Sequence, residues 1–73
     1  MKKDKDICIK LGQLLKKKRI KAKLSISQLA KQSKLSRSTI LLIESGRGNP
    51  LYSTLLKLAK GFKTTPWELV ADL

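Results

Sequence analysis

Signals that start helices recur along this chain at short intervals. "SISQ" at 25–28 is a capping box, in which Ser25 accepts from the backbone N–H of Gln28 and the Gln28 side chain reaches back. Ser36 is a second serine N-cap. Pro50 suits a first helical turn, and "TPWE" at 65–68 combines an N-cap Thr, Pro at N1 and Glu at N3. Between these signals apolar residues recur at helical spacing, and no segment alternates with period two for long enough to be a strand. The expected fold is therefore all-α, with five short helices at about 7–22, 26–32, 37–45, 51–61 and 66–72.

The inward faces follow from the same periodicity. Helix one offers Leu11, Leu15, Ala22 and the stem of Lys18, with Leu14 and Ile20 on its flank. Helix two offers Leu29 and Ala30; helix four offers Leu55, Leu58, Ala59 and Phe62; helix five offers Leu69 and Val70. Gly46 is placed to end helix three in a left-handed cap. No repeat or flexible linker interrupts the 73 residues, so a single domain over 1–73 is expected, with 1–6 as a flexible basic N-terminus.

Composition narrows the function. Cys8 is the one cysteine, so neither a disulfide nor a cysteine metal cluster is available. The absence of His removes the commonest general base and the commonest metal ligand together. With no nucleophile–base pair and no phosphate-cradling loop, neither an enzyme nor a cofactor, metal or small-molecule substrate is expected. No apolar run follows the charged "MKKDKD" as a signal peptide requires, and none is long enough to span a membrane, so the expected setting is the cytoplasm.

Charge points to the partner. The chain carries 17 Lys and Arg against 5 Asp and Glu, a net +12, with ten of the cations in residues 1–23. Such an excess implies a polyanion, either nucleic acid or an anionic membrane surface. "KKKRIKAK" at 16–23 is the densest block and reads equally as a solvated helix face. A membrane reading would lay helix one on anionic lipid, but the core claims that helix's apolar residues. The chain has too few aromatics for single-strand RNA stacking.

Helices two and three are separated by only a few residues and cannot lie antiparallel. They meet steeply, as in a helix-turn-helix, and the second helix of such a unit can enter a major groove. That second helix contains "ILLI" at 40–43. At about 100° per residue, Ile40 and Ile43 lie about 60° apart with Glu44 just beyond Ile40, and they face inward. Ser38, Leu41, Leu42 and Ser45 face outward. In a major groove an outward leucine finds the thymine C5-methyl group. Leu42 is the better placed; Leu41 either flanks the groove or touches a second subunit.

The stretch "LSISQLAKQSKLSRSTILLIESGRGNP" at 24–50, with "LGQLLKKKR" before it and "LLKLAKGFKTTPWELV" after it, resembles the lambda-repressor-like helix-turn-helix family of the Cro/CI or XRE type. The resemblance implies a double-stranded DNA-binding transcriptional regulator. It places base reading on Arg37, Ser38 and Leu42, with Ser36 and Thr39 nearby. It places phosphate contacts on Ser25, Ser27, Ser45, Arg47 and Asn49, with Lys31 and Lys34 adding long-range attraction. Arg19 and Glu44 match a structural ion pair of the family.

A single domain of this size makes few base contacts, so a homodimer on a two-fold operator is expected to supply the missing affinity and specificity. Its contacts are expected from helices four and five, through Leu51, Tyr52, Trp67, Val70 and Leu73. The size is similar to stand-alone controllers of restriction–modification systems and to small Cro-like phage repressors; an antitoxin-type repressor with a toxin partner is a third option. Three positions depart from the family pattern. Ile26 stands where a DNA-contacting Gln is frequent, Lys34 where a left-handed Gly is frequent, and Leu41 and Leu42 where polar residues are more usual.

Overall fold

The computed structural model describes the backbone of residues 2–73 and the side chains from Asp6 onward. In order, its elements are α1 (Lys2–Lys21), α2 (Ile26–Ser33), α3 (Arg37–Glu44), α4 (Tyr52–Gly61) and α5 (Pro66–Leu69), and no strand occurs among the described residues. Helix α2 packs on α4 and α3, α1 packs on α3, and α5 closes against α4.

The start signals act as local chemistry requires. Ser25 Oγ accepts from the Gln28 N–H at 3.0 Å while Gln28 Oε1 accepts from the Ser25 N–H at 2.8 Å. Ser36 Oγ accepts from the Thr39 N–H at 3.1 Å, and Thr65 Oγ1 from the Glu68 N–H at 3.3 Å. The Glu68 carboxylate does not close a second capping box; it accepts from the Thr64 hydroxyl at 2.7 Å.

Six boundaries differ from expectation, those at the ends of α2 and α3 by one residue each. Helix α1 begins at Lys2, so residues 2–6, expected to be a flexible tail, are helical; Met1 lies outside the described residues. No Gly or Pro precedes Gly12, and a nucleated helix adds residues cheaply. At its other end α1 stops at Lys21, and Ala22 is exposed, leaving Leu24 to pack against the core instead. Pro50 lies before helix α4, whose N-cap is Leu51, with no side-chain cap bond. Helix α5 ends at Leu69: the Ala71 and Leu73 N–H groups reach back three residues, to Glu68 and Val70, in tight turns.

Three helices end with a left-handed lysine: Lys23, Lys34 and Lys63, at φ 60, 56 and 58. Each end has the same bonding. The lysine N–H donates three residues back, and the following residue's N–H donates five back: Leu24 to Arg19, Leu35 to Ala30, Thr64 to Ala59. This is the Schellman arrangement, which glycine usually completes. A side chain there costs about 1–2 kcal/mol in strain, partly offset because a cation suits the negative end of the helix dipole.

The core joins all five helices: Leu11, Leu15, Leu29, Ala30, Ile40, Ile43, Leu58, Ala59 and Leu69 are buried, and Leu24, Ile26, Leu35, Leu55, Phe62 and Val70 pack around them. Two glycines permit the closest approaches. A Cβ on Gly12 would strike the carbonyl oxygen of Ile43, and one on Gly61 would strike Ser33 Oγ. The Ser33 hydroxyl is buried and has no hydrogen-bond partner among the described residues.

One polar contact ties this arrangement together. Arg19 Nε donates to Glu44 Oε2 at 2.8 Å, Nη2 to Oε1 at 3.2 Å, and Nη1 to the Leu24 carbonyl at 2.9 Å. The side chains are only 12% and 7% exposed.

Replacing either Arg19 or Glu44 alone with Met should lower stability to urea by about 3 kcal/mol, because the surviving charge stays buried and unpaired. The double replacement should lose less than the sum of the two; additive losses would mean that the side chains act independently. Ser33→Ala should raise stability by about 1 kcal/mol, since it removes an unsatisfied buried hydroxyl. Gly61→Ala should lower stability by about 1–3 kcal/mol, and less so in a Ser33→Ala background. Thermal melts of the four proteins test both statements, and a destabilised Ser33→Ala would reveal a partner for the hydroxyl.

Candidate nucleic-acid interface

Helix α3 is short, and its two sides differ sharply. Ile40 and Ile43 are 1% and 4% exposed, while Leu41 and Leu42 between them are 53% and 49% exposed. Arg37 and Ser38 are exposed with them, and Thr39 is half-buried. The inward pair is held by the core and the Glu44 end by Arg19, so the opposite face is displayed outward at a set angle.

The hydroxyls around this face are not equivalent. The Ser25 oxygen accepts from Gln28, leaving its own proton available, at the N-terminus of α2 where unpaired N–H groups favour anions. Ser27 is exposed on the first turn of the same helix. Ser36 and Thr39 share a bond between their hydroxyl oxygens at 2.8 Å, so one of their two protons is engaged. Ser45 differs from the expectation of a direct phosphate donor. Its hydroxyl donates to the Leu42 carbonyl at 2.6 Å, and its oxygen receives the Arg47 N–H and Nε at 3.4 Å. Its single proton is therefore engaged within the protein, and Ser45 acts on the loop that carries Arg47.

The cations are spread over the surface near these groups. Lys31, Lys34 and Arg47 are exposed, as is Asn49. Lys34 completes the turn between α2 and α3 in its left-handed conformation. Ile26, where a polar DNA contact is frequent in the family, packs against the core. On α1, Lys16, Lys17 and Lys21 are exposed, while Lys18 meets Asp72 at 3.9 Å, an open pair worth little.

The residues expected at a dimer contact divide. Tyr52, Trp67 and Leu73 are exposed, and Val70 is partly covered by the core. Leu51 is 72% exposed but lines a groove with Thr39, Leu42 and Asn49, so it adjoins α3 directly. Gly48 and Thr54 line the same groove and escaped the sequence reading. The only signal for Gly48 was its place in "GRGNP", which reads as a loop.

Among the described residues no cluster of His, Cys, Asp and Glu could hold a metal ion, and no helix is long and apolar enough to cross a membrane. The pattern of the helix-turn-helix family matches residues 15–69. No curated protein matches the chain. Among solved structures, the restriction-modification controller protein C.AhdI from Aeromonas hydrophila is similar, with 36% sequence identity and a TM-score of 0.83 over 88% of this chain and 97% of that one. The family pattern spans the core, the α2–α3 unit and the closing helices alike, and the chain belongs to the lambda-repressor-like, XRE-type helix-turn-helix family of DNA-binding transcription regulators.

Proposed function

We propose that this protein is a repressor or controller that binds a two-fold DNA operator as a homodimer and regulates transcription by occupying or flanking a promoter. One observation carries the reading: α3 turns Arg37, Ser38, Leu41 and Leu42 outward, while Ile40 and Ile43 anchor it from behind. Similarity to a restriction-modification controller protein supports the controller subtype. Against the lipid-surface alternative, Leu11 and Leu15 of α1 are buried in the core, although Ile7, Ile9 and Ile20 of that helix are exposed.

In this reading α3 lies in the major groove. Arg37, on its first turn, donates to the O6 and N7 of a guanine; Ser38 and Leu42 touch adjacent base edges, with Ser36 and Thr39 at the entrance. Arg47, Asn49, Ser25 and Ser27 grip phosphates, and Lys31 and Lys34 strengthen the attraction at a distance. A single domain of this size reads few bases. A second copy, joined through Tyr52, Trp67, Val70 and Leu73, supplies a second half-site about one helical turn away.

A selection of bound duplexes from a random pool should yield two inverted half-sites. Recovery of no consensus would defeat the sequence-specific reading. Arg37→Ala should relax preference at a single base position per half-site, at a loss of about 1–3 kcal/mol for the preferred base. An equal loss on every sequence would reassign Arg37 to phosphate. Arg47→Ala should reduce the slope of log affinity against log salt by about one per half-site while leaving the consensus intact. An unchanged slope removes Arg47 from the phosphate contacts.

A further inference from the structure

Beside the exposed face of α3 the chain forms a shallow apolar groove. Helix α3 contributes Thr39, Leu42 and Ile43; the chain that follows contributes Gly48, Pro50, Leu51 and Thr54, with the polar Asn49 between them. Its volume is ≈ 170 Å³. That admits a methyl group and the ring edge that bears it, and falls short of the about 300–1,000 Å³ that drug-sized ligands occupy.

Three features show how the groove is kept open and apolar. First, the Leu42 carbonyl accepts from the Gly48 N–H at 3.2 Å as well as from Ser45, which draws the loop back onto α3. Second, Gly48 is buried there, and a Cβ on it would lie 3.2 Å from Leu42 Cγ and 3.4 Å from Ile43 Cα. A side chain at 48 would press on Leu42, which would have to give by a few tenths of an ångström. Third, the Thr39 hydroxyl is paired with the Ser36 hydroxyl at 2.8 Å, which engages part of its polar capacity.

Leu51 is the unexplained member. It is the N-cap of α4, a place where Ser, Thr, Asp or Asn serves the helix, and it makes no cap bond. It is 72% exposed, so the core does not account for it either. The groove does, because Leu51 and Leu42 both line it.

We propose that Leu42 and Leu51 together form the recess for one thymine C5-methyl group in the major groove, which makes Leu51 a specificity-determining residue. The inference rests on α3 being the groove-reading helix. Among the base edges of the major groove only thymine presents an apolar group, so an apolar recess continuous with that helix selects thymine.

The test removes only the methyl. In a duplex taken from the selection, each thymine is replaced in turn by deoxyuridine, and affinity is titrated by fluorescence anisotropy. For the wild-type protein one position in each half-site should lose about fourfold per methyl, the factor expected for burying one such group. Leu51→Ala should bind the thymine duplex as weakly as the uracil one and no longer distinguish them. Gly48→Ala, whose Cβ presses on Leu42, should weaken the same distinction. Circular dichroism melts establish that both variants fold.

If no position responds to uracil, or if the response survives in Leu51→Ala, the recess is wrong while sequence-specific binding stands. If Leu51→Ala weakens thymine and uracil duplexes equally and shifts the dimer dissociation midpoint, Leu51 belongs to the subunit contact and the inference is overturned. If the selection yields no consensus at all, the groove-reading role of α3 fails and the recess fails with it.

Discussion

The Arg19 guanidinium is the tie on which the placement of α3 depends. Its five donors form a planar fork, and here the fork is divided between two tasks. Two of its nitrogens bind the Glu44 carboxylate, which ends α3, and the third holds the Leu24 carbonyl, where the chain turns from α1 towards α2. One side chain thus fixes the exit of α1, the approach to α2 and the end of the outward helix. A lysine would make a single point contact and could not span both oxygens and the carbonyl. In so basic a chain, Glu44 has a nearly buried arginine as its direct partner.

Around that tie, close approach between helix backbones does what large side chains would prevent. Gly12 lets α1 press against the last carbonyls of α3, and Gly61 lets α4 press against Ser33 at the end of α2. A core this thin cannot gain stability from bulk, since a small chain buries only about 60% of its unfolded surface. It compensates with near contact and with helix ends satisfied by their own backbone. The lysines that complete three of those ends hold a strained conformation and contribute charge at the surface.

The outward face combines rigidity with polar and apolar chemistry. Ile40 and Ile43 are locked in the core, so the helix cannot rotate to hide Leu41 and Leu42. The loop after α3 is pinned to the Leu42 carbonyl by the Ser45 hydroxyl and the Gly48 N–H, and it carries Arg47 and Asn49 alongside. The loop that carries Arg47 and the helix that carries Leu42 are therefore joined through a single carbonyl. Displacement of the loop would be felt at both.

Local chemistry and periodicity made much of this legible. The caps at Ser25, Ser36 and Thr65, the helical class, the stop at Gly46 and the division of Ile40 and Ile43 from Leu41 and Leu42 all depend on residues within a few positions of one another, so the sequence by itself determined them. The family pattern named Arg19 and Glu44 as partners, and the fold brings them into contact. Other features waited on the tertiary structure. Ala22 is exposed and Leu24 packs inward because the chain turns sooner than the periodicity of α1 implies. Leu51 lines a groove together with Leu42 rather than lying simply on the free surface of α4, and Gly48 is buried against Leu42 and Ile43, because the loop folds back onto α3. The Ser45 proton goes to a carbonyl and not to a waiting anion, a choice between competing partners that residue type alone does not make. Periodicity reports which way a residue faces about its own helix axis; only the packed helices decide what it meets there.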